Sequence, residues 1–313
     1  MRRDFVKQML VEMEQNPNIV FLTGDLGFNA LEPIKEKFPG RFFNVGIAEQ
    51  HMIGMAAGLA LEGKKVIAYS IASFLSMRPY EQIRTDVCYH DLDVKIIGAG
   101  GGVNYATHGV THHTLEDIAI MNALPHMKVF SPAYSWEARE ITKALMQDKG
   151  PAYMRLGKSP GVSYEKPHFE FAIGRGFVIR EGSDIVLVST GNLLDAVLAS
   201  AELIETKLKR SVAVISMPTL KPLDEELIVR YAKNAEGLFT IEEHSVIGGL
   251  GSLVASLLYH RGIPKKKFHM LGFNDEFVKG VGERDYLLEA AGMSPRLIAE
   301  KVVSEMTSKE KFS

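Results

Sequence analysis

The sequence has little of what marks secreted, membrane-spanning or nucleic-acid-binding proteins. Its 313 residues include a single cysteine, Cys88, so no disulfide can form within the chain, as is typical of proteins in a reducing cytoplasm. No charge-free apolar run reaches the ~18 residues of a transmembrane helix, and the first residues lack the apolar core of a signal peptide. Lys and Arg number 36 against 38 Asp and Glu, so no basic excess favours a nucleic acid or an anionic membrane. We therefore expect a cytoplasmic protein that binds neither.

What the chain does contain is apolar sequence in short, regularly spaced runs. Hydrophobic residues make up 46% of it, enough for sizeable cores. Short runs, such as 19–23, alternate with longer helical stretches, such as 46–62, and this alternation predicts parallel sheets covered by helices on both faces. A turn-rich segment, 157–169, interrupts the series before a second one begins. We predict an α/β protein of two domains with mainly parallel sheets, residues 1–165 and 170–313.

The most informative segment, residues 43–60, reads Phe-Asn-Val-Gly-Ile-Ala-Glu-Gln-His-Met-Ile-Gly-Met-Ala-Ala-Gly-Leu-Ala. Glu49 lies at the head of the predicted apolar helix, and burial there would favour the neutral acid, which can donate a hydrogen bond. A first-turn carboxylate stabilised by the helix dipole explains Glu49 equally well. Gly54 and Gly58 lie four residues apart on one helix face, which permits the close approach of another backbone.

On this motif the chain resembles the pyrimidine-binding half of transketolase-type thiamine diphosphate enzymes, and the resemblance extends over the C-terminal domain of that family. The family glutamate that matches Glu49 hydrogen-bonds the aminopyrimidine of the cofactor, so the resemblance implies a catalytic role for Glu49. Ile47 matches the apolar residue that supports the bent cofactor. Asp25 and Leu26 match the first loop that touches it, although Asp25 by itself also fits an ordinary turn.

A second segment, residues 69–84, resembles the family stretch that supplies an aromatic ring beneath the aminopyrimidine. A flat heterocycle gains from offset contact with an aromatic face. The resemblance implies Phe74 first and Tyr80 second for this cofactor contact, and a one-residue slip in the alignment would put Leu75 there. Core packing explains both aromatic residues as well.

The loop-like segment 98–113 contains three histidines within six residues but matches neither a dinucleotide fingerprint nor a Walker A loop. Zinc binding by His108 and His112 would need a helix, which the glycine-rich surroundings disfavour, and a third ligand. We therefore expect no metal on this chain. Gly109-Val110-Thr111-His112 matches the family pattern that ends in Thr-His, which implies that His112 faces the substrate as a hydrogen-bond donor or proton shuttle.

Two departures from the family pattern bear on the substrate. His108 replaces an acidic residue that contacts a substrate hydroxyl, and a phosphate-binding histidine is replaced near Gly100. Arg155 matches an arginine that contacts the substrate phosphate, and a surface arginine at a strand end explains it equally well. We predict that His108, His112 and Arg155 bind a sugar other than an ordinary pentose phosphate: a modified, unphosphorylated or nucleotide-linked one.

The chain also lacks the Gly-Asp-Gly motif with which the family holds the diphosphate and Mg²⁺. The resemblance therefore implies a separate partner subunit carrying that site, an α2β2 heterotetramer, and an interface that includes the Gly54 and Gly58 face. We predict a subunit of a transketolase, a transferase that moves a two-carbon ketol unit between sugars and is active only with its partner.

Three other functions remain open at this point. A β subunit of a 2-oxoacid dehydrogenase and a deoxyxylulose-phosphate-synthase-like subunit are the alternative enzymes. A regulatory subunit that retains the fold is the alternative without catalysis. A serine hydrolase has no support, because the one Gly-x-Ser-x-Gly string, residues 157–161, lies in the turn-rich segment and not between a predicted strand and a predicted helix.

Overall fold

A computed structural model describes residues 1–27, 30–157, 171–263 and 267–308. Within them the chain forms two β-sheets with helices on both sides, an α/β architecture of mainly parallel strands, as the sequence predicts. The predicted domain boundary, between residues 165 and 170, lies outside the described residues. No helix of the described ranges is long and apolar enough to cross a membrane.

The strands divide into a seven-stranded and a five-stranded sheet. In chain order they are β1 (Ile19–Thr23), β2 (Phe42–Asn44), β3 (Lys65–Ile71), β4 (Val94–Ala99), β5 (Lys128–Phe130), β6 (Ala152–Leu156), β7 (Phe177–Arg180), β8 (Ile185–Thr190), β9 (Val212–Ser216), β10 (Thr219–Lys221), β11 (Gly237–Ser245) and β12 (Phe268–Phe273). The larger sheet has the order β10-β5-β6-β4-β3-β1-β2 and the smaller β12-β11-β8-β9-β7. Only the pairs β10 with β5 and β7 with β9 are antiparallel among the described strands.

The helices cover these sheets. They are α1 (Arg2–Gln15), α2 (Glu32–Lys37), α3 (Glu49–Leu61), α4 (Ala72–Met77), α5 (Tyr80–Gln82), α6 (Asp117–Ala123), α7 (Ser135–Gln147), α8 (Leu194–Leu208), α9 (Glu225–Asn234), α10 (Leu250–His260), α11 (Arg284–Ala290) and α12 (Pro295–Thr307). The single turn α5 is continued by a π-helical stretch, Ile83–Cys88.

The two halves of the chain share a sheet and a core. Strand β10, which follows β9 of the smaller sheet, pairs antiparallel with β5 at the edge of the larger one. One apolar cluster runs from Met121 and Met127 of the first half to Met217 and Leu220 of the second. Apolar burial of this kind stabilises by roughly 25 cal/mol per Å², so this shared surface fixes the two sheets against each other.

Glu243 at the end of β11 links the halves through polar contacts. Its carboxylate accepts a hydrogen bond from the backbone N–H of Val103, at 2.8 Å, and forms an ion pair with Arg284, at 2.5 Å. The carboxylate is only 5% exposed and the arginine 21%. A buried carboxylate that loses its cation keeps an uncompensated charge, so this pair is far more sensitive to substitution than a surface pair.

We predict that Glu243→Gln lowers the free energy of unfolding by about 3 kcal/mol, because Arg284 then lies unpaired in a mostly buried position. Urea unfolding followed by circular dichroism measures the change. The matched control is Glu300→Gln, which removes an exposed ion pair with Arg296 and should cost about 0.5 kcal/mol or less. Equal losses in the two variants would contradict the role assigned to Glu243.

Candidate functional site

The polar residues predicted for the site meet at the carboxyl ends of the central strands of the larger sheet. Glu49 is the first residue of α3, which follows the loop after β2. The whole residue is 2% exposed. Ser70 at the end of β3 donates a hydrogen bond to Glu49 Oε1 at 3.1 Å, and Arg78 after α4 donates to Oε2 at 2.9 Å. Both contacts come from outside the helix, so the carboxylate serves a site between elements and not merely the first turn of α3.

The loop after β1 lies beside this carboxylate. A Cβ atom built on Gly24 would lie 3.3 Å from Ser70 Oγ, a tight contact, and 3.6 Å from Glu49 Oε1, an ordinary one, so this glycine lies directly beside the carboxylate. Asp25, at a positive φ of 54°, exchanges two hydrogen bonds of 3.0 Å with the Asn44 side chain at the end of β2. The loop is therefore tied to the neighbouring strand.

Two apolar residues of the prediction border the same region. Ile47 is 71% exposed, which is unusual for a large aliphatic side chain and leaves it available for contact. The backbone oxygen of Leu26 accepts a hydrogen bond from the Thr23 hydroxyl at 3.2 Å, which ties the first loop back to the end of β1.

Phe74 of α4 lies between Arg78, which binds the Glu49 carboxylate, and the histidine loop. Its half-buried ring lies under the Arg78 guanidinium, 4.0 Å from the ring centroid, and meets the His112 ring edge-on at 5.0 Å. Leu75 is fully buried in the core, and which of Phe74 and Leu75 matches the family aromatic stays a prediction. Tyr80 donates its hydroxyl to the backbone oxygen of Ile120 at 2.8 Å and packs against the core. Of the two predicted aromatics, Phe74 is the one brought to Glu49 and His112.

The histidine loop places two imidazoles side by side. The rings of His108 and His112 lie 5.0 Å apart, and Tyr105 contacts both at 5.7 Å. His112 Nδ1 is 2.9 Å from the Thr111 hydroxyl. His113 is buried, with its Nε2 3.0 Å from the backbone oxygen of Ala106.

Residues from the three segments 43–60, 69–84 and 98–113 thus form one cluster, made of Glu49, Phe74 and the pair His108 and His112. The profile of the transketolase pyrimidine-binding domain matches residues 1–161, and that of the transketolase C-terminal domain matches residues 174–298. The chain belongs to the transketolase family.

Individual relatives agree with this assignment. A Methanocaldococcus jannaschii protein, provisionally named a transketolase C-terminal section, is 36% identical over 98% of this chain and 96% of its own. A 6-deoxy-6-sulfo-D-fructose transketolase subunit of a Clostridium species is 34% identical over 100% of this chain and 96% of its own. A solved structure titled a split-gene transketolase, inactive β4 tetramer, is 37% identical, covers 99% of this chain and 98% of its own, and superposes with a TM-score of 0.86.

Relatives named 1-deoxy-D-xylulose-5-phosphate synthase also match, but this chain spans only 39% to 48% of their length. Transketolase-family enzymes in general depend on thiamine diphosphate. The chain thus matches the relatives named as transketolase sections or subunits over nearly their whole length.

Arg155 has a different environment from the one expected of a transketolase phosphate-binding arginine. It is 6% exposed and pairs with Asp117 at 3.4 Å, and it donates to the backbone oxygens of Thr114 and Glu243 at 3.2 Å. A Cβ on Gly101 would fall 2.1 Å from Arg155 Nε, so the glycine-rich loop packs directly on this guanidinium. The substrate contact of Arg155 stays a prediction, while the structure gives the residue a role between the two halves.

Electrostatics favour a neutral imidazole at the family histidine. Partial burial, and after it the charges of His108, His113 and Arg78, lower the pKa of His112 below its usual value. A neutral imidazole has one nitrogen that donates and one that accepts, which suits proton transfer in either direction. No group of three metal-binding side chains occurs in the described ranges, and the three histidines of the loop have separate partners.

A cleft of about 550 Å³ opens beside this cluster. The cleft is bordered by Phe74, Arg78, Thr111, His113, Asp275 and Phe277. On α3, a Cβ at Gly54 or Gly58 would meet no atom within 4 Å, and Leu61 is 66% exposed. The face predicted for an interface is therefore uncovered.

Sequence reasoning did not identify Asn44, Ser70 and Arg78 as site residues. All three lie within the segments quoted for the resemblance, yet their roles depend on partners from other elements. For Ser70 the signal in the sequence was its position directly after an apolar run that predicts a strand, where ligand sites of parallel sheets form. Asn44 and Arg78 carried no such signal.

We predict that His108→Asn raises the pKa of His112 toward its ordinary value, because a neighbouring positive charge is removed while the burial remains. Titration of the imidazole signals by NMR measures the change. His260→Asn, which removes an exposed histidine of α10, serves as the control and should leave the pKa of His112 where it is. An unchanged or lower pKa in His108→Asn would refute the proposed coupling of the two rings.

Proposed function

We propose that this chain is the pyrimidine-domain subunit of a thiamine diphosphate-dependent transketolase, which transfers a two-carbon ketol unit between sugars. The observation that carries the proposal is the buried Glu49 carboxylate at the head of an apolar helix, with Phe74 and His112 beside it. We assign the catalytic roles to Glu49 and His112. The lone buried cysteine, Cys88, agrees with the cytoplasmic location we expect.

The described residues fit an aminopyrimidine ring. The ring needs a flat apolar face and a carboxyl group at one nitrogen, and Phe74 and Glu49 offer both. The space that Gly24 leaves above Glu49 and the exposed side chain of Ile47 suit a group wedged between them. When bound, the cofactor supplies a nucleophilic carbon that no side chain of this protein offers.

Each of the proposed site residues then has one task. Glu49, held in place by Ser70, donates a hydrogen bond in its neutral form to the pyrimidine ring. Asp25 and Leu26 line the ring from the first loop, and Phe74 supports its face, with Tyr80 the weaker candidate. His112 gives or takes a proton at the sugar oxygen, and its lowered pKa keeps it neutral for that purpose.

The substrate side of the site rests on His108, His112 and Arg155. The exposed His108 replaces the acidic residue of the family and is placed to contact a sugar hydroxyl. Arg155, paired with Asp117, would have to break a buried ion pair to reach a phosphate, which is costly. This supports a sugar that differs from the ordinary pentose phosphates, as the Clostridium relative named for a sulfo-sugar also suggests. Equal activity on xylulose 5-phosphate and ribose 5-phosphate would refute it.

The diphosphate and Mg²⁺ belong on a partner chain in this proposal, since this chain has no Gly-Asp-Gly motif. The partner would cover the Gly54 and Gly58 face of α3 and bury the exposed Ile47, giving an α2β2 enzyme. A related structure is titled an inactive tetramer of β chains alone, which agrees with a need for the second subunit.

A deoxyxylulose-phosphate-synthase-like reaction is the second candidate, since synthases of that name match over most of this chain. It uses the same Glu49 and His112. An assay of the complex with pyruvate and an aldose phosphate distinguishes the two, because only the synthase consumes pyruvate. A 2-oxoacid dehydrogenase subunit and a regulatory subunit stay predictions.

We predict that Glu49→Gln lowers kcat of the reconstituted enzyme by ~10²–10⁴-fold, because the amide keeps the size of the acid but cannot transfer a proton. Steady-state ketol transfer is the measurement. Glu62→Gln, an exposed acid beyond the other end of α3, is the matched control and should retain full activity. A fully active Glu49→Gln enzyme would favour a regulatory subunit.

We also predict that the purified chain alone has no ketol-transfer activity, and that co-expression with the diphosphate-binding subunit restores it and yields a 2:2 complex. Thiamine diphosphate titration and light scattering measure binding and mass. Turnover of a ketose by this chain alone would show that no partner is required.

A further inference from the structure

Arg78 contacts, on this chain alone, the two groups that an aminopyrimidine would contact, Glu49 and Phe74. Its guanidinium donates a hydrogen bond to Glu49 Oε2 at 2.9 Å and lies over the Phe74 ring at 4.0 Å. The other carboxyl oxygen of Glu49 accepts from Ser70, so Arg78 occupies the remaining one. The acceptor and the flat surface of the proposed cofactor site are thus both in use.

A guanidinium shares the flat shape of an aminopyrimidine, although it donates to Glu49 where the ring nitrogen would accept. It is planar, it stacks on aromatic faces, and it carries N–H groups at its edge that reach a carboxylate in the plane. An ammonium group would pair with Glu49 but could not cover the ring of Phe74. The charge also matters, since a buried carboxylate without a cation is costly.

We propose that Arg78 holds the place of the aminopyrimidine in the subunit without cofactor and turns outward when thiamine diphosphate binds. The inference rests on the proposed function, because it takes Glu49 and Phe74 as the cofactor contacts. Arg78 then competes with the cofactor for Glu49 and Phe74, whereas the other residues of the site bind the cofactor.

The surroundings of Arg78 allow such a movement. Its side chain is 45% exposed, whereas that of Glu49 is 1% exposed, so the arginine can leave without disturbing the core. The cleft that Arg78 borders is also lined by three acids, Glu116, Asp275 and Glu276. When it turns outward, the Arg78 guanidinium therefore faces water and these carboxylates. Its positive charge has acidic groups nearby both when it contacts Glu49 and when it has turned outward.

The exchange has a thermodynamic consequence. When the competent state is only a fraction of the population, the apparent dissociation constant rises by the inverse of that fraction. Removal of the competing side chain should therefore tighten cofactor binding. A residue that merely supports the fold or touches the cofactor would give the opposite sign when removed.

The test is calorimetric titration of thiamine diphosphate, with Mg²⁺ present and substrate absent, into the complex of this chain with its diphosphate-binding subunit. We expect Arg78→Gln to lower Kd by about tenfold, the effect of a competent fraction near one tenth. Arg78→Lys keeps the charge opposite Glu49 but not the flat surface, and its Kd should lie between the two. The matched control is Arg230→Gln, an exposed arginine of α9 that should leave Kd unchanged.

The outcomes separate this inference from the proposed function. An unchanged or higher Kd in both Arg78 variants, with wild-type binding intact, would overturn the competition and leave the proposed function standing. Failure of the wild-type complex to bind thiamine diphosphate would overturn both. Should Arg78→Gln not fold, the Kd of Arg78→Lys decides alone: a lower value supports the competition and an equal or higher one refutes it.

Discussion

The site of this protein depends on one carboxylate that the fold removes from water. A buried charge is tolerated only where hydrogen bonds or an opposite charge compensate it. Here Ser70 and Arg78 supply that compensation, from the end of β3 and from the segment after α4. Gly24 leaves room above the acid, and the pairing of Asp25 with Asn44 holds that loop in place. The central strands are arranged so that their ends meet around Glu49.

Much of this could be predicted from the sequence because it depends on local pattern. The β-α alternation predicted the mainly parallel sheets, and the segment 43–60 singled out Glu49 while leaving its burial open. Phe74 and His112 followed from the resemblance of short segments to a family. Parallel strands place their carboxyl ends at one edge of a sheet, so residues at those ends come together whatever the details of packing.

The rest depended on partners far apart in the chain. Arg155 pairs with Asp117, and Glu243 with Arg284, through contacts that no local pattern encodes. The same holds for β10, a three-residue strand that crosses to the larger sheet. Arg78 lay in a quoted segment, but its role became visible only when Glu49 and Phe74 were found on either side of it. Whether Arg78 reaches the Glu49 carboxylate depends on how the chain folds, so a linear pattern could not reveal it.

The arrangement around Glu49 also explains why a divided enzyme is workable. Without a partner, the buried Glu49 carboxylate needs a compensating charge, whereas the proposed chemistry needs Glu49 neutral and free to hydrogen-bond the cofactor. Arg78, a partly exposed arginine directly after α4, supplies the charge and can be displaced from Glu49. In the proposed enzyme the partner chain would bind the diphosphate of the cofactor, so the free energy that displaces Arg78 would come from outside this chain. Cofactor binding and subunit assembly would then be linked through the side chain of Arg78.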